Sequence, residues 1–300
     1  MSLFPKKIIA PADSAPQVVH VSASFPVQSI ETPPQTFVLI HGSWHGGWAW
    51  AAVKHSLEER GHRVYTPTLA GHDVLQPPKN ITLEEVASTV VDCLETNYLD
   101  DVILVGWSFG GVVLQRVVEH CPERISQMIF WDAFVLQHGE SLMSIMEQWS
   151  PELIGILGSL VDSQRNTIML PLEMFATSFM PDAPLDTVQA IYRRLTPEPW
   201  GPLNESHTFE RFWSLIPMNP LGVAGPTRAI AYIDAIEDNA LGTGFWASQS
   251  AKLGPSCRHV TLPVGAHEAL FTQPEALTAA ILLAAGMDTA QQSQRVDSKR

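Results

Sequence analysis

The stretch DVILVGWSFGGVVLQRVVEH, residues 101–120, decides the fold. It opens with DVILV, a short unbroken apolar run of the kind a buried parallel strand shows. It closes with GGVVLQRVVEH, which has helical spacing and stops before Pro122. Between the two lie Gly106, Trp107, Ser108, Phe109 and Gly110, a G-x-S-x-G pattern at a strand-to-helix turn. In such a turn a serine is exposed on strained backbone, and glycines are needed where any Cβ would strike the strand or the helix. The helix that follows aims its N–H groups and positive dipole end at the serine. Glycine-rich turns after strands are common, so Ser108 becomes a candidate nucleophile only if the rest of the chain supplies it with partners.

Outward from this turn, strand and helix patterns alternate. TFVLI (36–40) is a second buried strand, residues 50–61 read as a helix ended by Gly61, and HRVYTP (62–67) as a strand. Thr82 and Glu85 have capping-box spacing at the head of a helix reaching 97. QMIFW (127–131) is a further strand. The alternation returns with RAIAYI (228–233), a helix at 243–253, HVTLPV (259–264) and a helix across 274–286. This predicts an α/β fold, a doubly wound, mostly parallel sheet, carried by residues 36–135 and 225–286. Residues 136–224, rich in Met, Trp, Phe and Pro, read as an inserted, mainly helical cap, and such long excursions usually cover a site. Residues 1–35 form an arm in which VVHVSASF is a possible edge strand, and 287–300 a polar tail.

The composition narrows the function. Of 300 residues 45% are hydrophobic, and 31 acidic against 18 basic residues leave a net charge of −13. With no Lys/Arg cluster, nucleic acid and anionic membranes are excluded as expected partners. Cys93, Cys121 and Cys257 are widely spaced, which suggests neither a disulfide framework nor a zinc site. No apolar stretch is long enough to span a bilayer, and the N-terminal apolar run ends too early for a signal peptide. The expectation is a cytoplasmic protein, with a homodimer as the one protein partner considered.

A serine nucleophile needs a base, and the base an orienting carboxylate, in the order Ser, acid, His for this kind of sheet. Of eleven histidines, His207, His259 and His267 lie far enough downstream. His207 falls in the cap and His259 begins a strand, whereas His267 follows a strand, where open α/β sheets bind ligands. YIDAIEDNAL offers Asp234, Glu237 and Asp238 as acids, and Asp132 after the QMIFW strand competes with Asp238. Oxyanion donors are expected from the backbone of Phe109, which follows the serine, and of Ser43 in the HGSWHGGW loop. Gly42, Trp44 and Trp107 stand close enough to belong to a substrate pocket. Met143, Met146, Trp149, Met174, Phe175, Phe179, Trp200, Phe212 and Trp213 could line an apolar cavity, about two thirds of them being expected in the cap's own core.

Taken together, FVLIHGSWHGGWAW, GHRVYTPTLAGH, LVGWSFGG, FWDAFV, IEDNAL and GAHEALFTQPEAL resemble the α/β-hydrolase superfamily. The resemblance is nearest to the branch of plant methylesterases, hydroxynitrile lyases and their bacterial esterase relatives, across about residues 36–285. It implies Ser108 as nucleophile, His267 as base, Asp238 rather than Asp132 as acid, and Ser43 and Phe109 as oxyanion donors. It implies that His45 orients its loop, and it implies neither metal nor organic cofactor. Hydroxynitrile lyases similar to this chain carry Thr where Gly42 stands and Lys where Glu268 stands, so cyanohydrin cleavage is not expected. Trp107 replaces a more usual His, with bulk that could narrow the acyl pocket. The expected activity is hydrolysis of a small to medium, largely apolar carboxylic ester. Lactone, thioester or C–C hydrolysis on the same fold, or a non-catalytic ligand-binding role, are the alternatives.

Overall fold

The structure is a computed structural model that describes residues 19–20, 33–72, 80–216 and 229–287. Most of the arm and the tail, and the expected strand start at Arg228, lie outside the described residues. The strands are β1 (Val19–His20), β2 (Thr36–Ile40), β3 (Arg63–Tyr65), β4 (Val102–Trp107) and β5 (Ile125–Trp131). The cap contributes β6 (Val161–Asp162), β7 (Thr167–Ile168) and β8 (Glu198–Pro199), and the chain returns with β9 (Ala229–Ala235) and β10 (Arg258–Leu262). Seven strands form one sheet in the order β1-β10-β9-β5-β4-β2-β3, and each adjacent pair is parallel.

The unbroken apolar runs have a physical cause. Side chains alternate across a strand, so Val38 and Ile40 enter one hydrophobic core while Phe37 and Leu39 enter the other. Both faces of the sheet are covered, so the middle of a strand such as β2 is apolar on both sides. The helices Leu83–Thr96 and Gly110–His120 pack on the first face, and Ala51–Glu59 and Pro274–Ala284 on the second. Thr82 accepts the Glu85 N–H while Glu85 accepts the Thr82 N–H, the capping box its spacing predicts.

Because every strand of the sheet runs the same way, the loops after β2, β4, β5, β9 and β10 leave from one edge. The register holds these ends level: Ile40 is opposite Gly106, Trp107 opposite Trp131, and Ala235 opposite Leu262. The chain winds outward from β2 to β3 and then crosses back to β4, so the strand order reverses between β2 and β4. Ligands of open α/β sheets bind outside such a switch point.

Above this edge stands the excursion between β5 and β9. It contains helices such as Leu142–Trp149, Pro151–Ser159 and Leu185–Tyr192. It also holds the antiparallel sheet β6-β7-β8, which the sequence reading did not foresee. Strands of two residues carry no alternation to read. Among the described residues, no helix is long and apolar enough to cross a membrane.

Candidate active site

Ser108 leaves β4 with φ +54°, a left-handed conformation that a non-glycine residue adopts only where its surroundings impose it. Those surroundings are tight. A Cβ on Gly106 would lie 2.6 Å from the Gly110 carbonyl oxygen, and one on Gly110 would lie 2.6 Å from the Ile40 oxygen. The Ser108 carbonyl accepts the N–H groups of Gly111 and Phe134, each at 3.1 Å, which locks the turn. Phe109 buries its side chain completely in the cap-side core, so its backbone N–H is the part available at the head of the helix Gly110–His120.

His267 and Asp238 arrive from the loops after β10 and β9. His267 Nδ1 donates to Asp238 Oδ2 at 2.6 Å, with both side chains buried. The imidazole is boxed by aromatic rings: Trp246 stacks on it at 5.2 Å and 11°, and Phe179 meets it edge-on at 5.4 Å. Such walls exclude water and strengthen the ion pair that forms if the ring takes a proton.

The other candidates go elsewhere. Asp234 faces His259 at 2.9 Å, Glu237 accepts the Gly265 N–H at 2.9 Å, and His207 contacts the Pro202 carbonyl within the cap. Asp132 is fully buried beside the pair: its carboxyl, that of Asp238 and the His267 ring place ligand atoms all within 4.8 Å of one another. It accepts the Ala235 N–H at 3.2 Å. Burial first, then the charges of Asp238 and Asp234, hold Asp132 well above the usual carboxylate range. A carboxyl so raised holds its proton to higher pH than an exposed aspartate does.

The loop after β2 carries Ser43 against Ser108. A Cβ on Gly42 would lie 2.9 Å from the Ser108 Cβ, so the close approach requires glycine. His41 Nδ1 donates to the Gly42 carbonyl at 2.8 Å while its Nε2 accepts the Leu69 N–H at 3.0 Å. His45 Nδ1 donates to the Ser43 carbonyl at 2.8 Å. Burial pushes His41 well below its ordinary value and His45 down to about 3, so both rings are neutral and can serve these bonds. His45 Nε2 faces Glu268 Oε2 at 3.4 Å. Burial raises Glu268 well above the carboxylate range, so the position after His267 holds a neutral acid.

A cavity of about 270 Å³ unites Ser43, Trp44, Ser108 and His267. Of the nine apolar cap residues, Met143, Met146, Met174, Phe179 and Trp200 line it; Trp149, Phe175, Phe212 and Trp213 pack elsewhere. More of them face the cavity than the expected third. No lysine or arginine is among the described lining residues. Trp44 is in the wall, as expected, whereas Gly42 acts through its closeness to Ser108 and is not part of the lining. The expectation for Trp107 needs correction. The strand alternation turns its ring into the opposite core, where it stacks on Trp131 at 5.3 Å and 17° and is 1% exposed. It does not line the cavity, although its ring lies 5.5 Å from that of His267.

The sequence reading missed Glu198 and His72. Glu198, in β8, is fully buried and accepts both the Trp44 N–H at 2.8 Å and His72 Nε2–H at 2.7 Å. Nothing local marks it, since Trp44 and Glu198 are 154 residues apart in the chain.

Comparison with known proteins bears on the family of the chain. The chain is similar to a "Carbendazim hydrolyzing esterase" of Nocardioides sp. (strain SG-4G), 43% identical over 117 residues, 38% of this chain and 48% of that one. It is also similar to "Methylesterase 1" of Arabidopsis thaliana, 38% identical over 129 residues, 42% of this chain and 49% of that one. The chain thus spans about half the length of these curated relatives. A solved extracellular alpha/beta-hydrolase from a Paenibacillus species, described as sharing structural and functional homology with tobacco salicylic acid binding protein 2, is 35% identical. It superposes with a TM-score of 0.74 over 84% of this chain and 99% of its own. The alpha/beta hydrolase family model matches residues 37–280. The chain belongs to the alpha/beta hydrolase family.

Proposed function

We propose that the protein is a serine hydrolase that cleaves a neutral, largely apolar carboxylic ester of small to medium size. The observation that carries this reading is the 2.6 Å His267–Asp238 pair whose histidine lines the same cavity as Ser108. Ser108 Oγ attacks the ester carbonyl while His267 Nε2 takes its proton. Asp238 fixes the tautomer and stabilises the imidazolium that forms. The N–H groups of Ser43 and Phe109 receive the oxyanion. His267 then gives its proton to the departing alkoxide, and water, deprotonated by the same ring, releases the acid from the acyl-enzyme.

The apolar wall, without a cation to hold a charged substrate, favours a neutral ester. The similarity to esterases points the same way. Cyanohydrin cleavage is not proposed, because no lysine or arginine is among the described lining residues to stabilise a departing cyanide. A cytoplasmic location is part of the proposal, since Cys93, Cys121 and Cys257 are all unpaired.

Hydrolysis of p-nitrophenyl butyrate tests the reading. Ser108→Ala should reduce kcat by about 10³-fold or more, and a fluorophosphonate should label Ser108. Undiminished turnover in the variant, or a wild type that binds apolar ligands without hydrolysing any ester, would overturn it.

A further inference from the structure

Glu198 is a buried carboxylate that does not line the cavity, so it has no contact with substrate. A carboxylate removed from water is costly unless its acceptors are used. Here both strong bonds go to one oxygen: Oε2 accepts from Trp44 N and His72 Nε2. Oε1 has no hydrogen-bond partner among the described residues.

The peptide unit it holds matters for the oxyanion. A trans peptide points its C=O and N–H in opposite directions, and the chain has no cis bonds among the described residues. The Ser43–Trp44 unit is gripped at both ends, His45 donating to its carbonyl and Glu198 accepting from its N–H. The preceding Gly42–Ser43 unit, which carries the Ser43 N–H, is held among the described residues by its carbonyl alone, through His41. Rotation of either unit re-aims the Ser43 N–H, so the grip on the second steadies the first. Trp44 is held at φ +65°, a conformation that needs such external support. Its other bonds also go to the cap: Nε1 donates to the Ile168 carbonyl at 3.0 Å, and the Trp44 carbonyl accepts the Thr196 N–H at 2.9 Å.

We propose that Glu198 is a positioning residue for the oxyanion loop, reaching from the cap to fix the Ser43–Trp44 peptide and so aim the Ser43 N–H. The cap on this view is part of the catalytic frame as well as a cover, because its docking and the assembly of the oxyanion hole are one event. The inference rests on the proposed role of Ser43 in a serine hydrolase.

The test compares Glu198→Ala, Glu198→Asp and Glu198→Gln with wild type on p-nitrophenyl butyrate, with active sites counted by fluorophosphonate labelling. Removing or retracting the acceptor should lower kcat per labelled site about 10- to 100-fold and leave KM within about twofold. The affinity of an apolar trifluoromethyl ketone, which forms an oxyanion on Ser108, should fall by the same factor. The matching methyl ketone should bind unchanged. Glu198→Gln should recover activity to within about threefold, since its carbonyl oxygen can accept both N–H groups. Should Glu198→Ala not fold, Glu198→Asp answers the same question. Unchanged kcat in the folded variants, or a loss shared equally by both ketones, overturns the role of Glu198. A wild type that neither labels nor turns over instead overturns the hydrolase reading beneath it.

Discussion

Replacing Gly42 with alanine puts the closest approach in the site under direct test. The new Cβ would lie 2.9 Å from the Ser108 Cβ and 3.3 Å from the Trp107 carbonyl oxygen, whereas ordinary contact begins near 3.4 Å. At least about 0.5 Å must therefore open between the oxyanion loop and the nucleophile. Neither side yields freely: Ser108 is locked through its carbonyl by Gly111 and Phe134, and the Gly42 carbonyl is held by His41. A 1 Å misplacement of reacting groups costs about 10²-fold in rate, so half of that corresponds to about tenfold. The expected loss is about 10- to 100-fold in kcat, or roughly 1.4–2.7 kcal/mol of transition-state stabilisation. KM should change little, because the apolar cap wall that binds substrate is untouched. The overpacking should also cost about 1–3 kcal/mol of stability, read as a lower urea midpoint. The assay is turnover of p-nitrophenyl butyrate per fluorophosphonate-labelled site. A Gly42→Ala enzyme with wild-type kcat would refute the claim that this loop is sprung against Ser108.

Two further variants separate the buried acids. Asp238→Asn should lower kcat by about 10³- to 10⁴-fold, because the amide cannot stabilise the imidazolium, whereas Asp132→Asn should stay within about tenfold. A larger loss in the Asp132 variant would move the acid role to the end of β5. Asp132→Asn also tests whether the folded Asp132 holds its proton above the usual range. The unfolded chain releases that proton near pH 4, but the folded Asp132, raised by burial, keeps it. Wild-type stability from this group is therefore complete below about pH 4 and is lost as pH rises, by up to about 1.4 kcal/mol per unit. The variant lacks this slope, so its urea midpoint should gain on wild type between about pH 5 and pH 7. A difference independent of pH would mean that Asp132 is ionised in the fold.

Much of the frame was legible because it depends on local patterns. β2 spans the same residues as its apolar run, and the capping box at Thr82 and Glu85 forms as spaced. The order of strand and helix signals was enough to place Ser108, His267 and the loop of Ser43 on one sheet edge, since parallel strands must all end there. Where side-chain direction mattered, the reading faltered. Trp107 is adjacent to Ser108 in sequence, yet strand alternation carries its ring into the opposite core. The share of cap aromatics and methionines that reach the cavity was likewise set by helix orientation, which composition does not encode.

By itself, then, the sequence determined an alternating α/β chain with a serine at a glycine turn and a short set of downstream acids and histidines. Only the tertiary structure sorted those acids, sending Asp234 to His259, Glu237 to Gly265, Asp238 to His267 and Asp132 into the buried space behind the last pair. It alone brought Glu198 to Trp44 across 154 residues. The physical reason is that hydrogen-bond partners and burial are properties of distance in space, and burial is what lifts Asp132 above the usual carboxylate range.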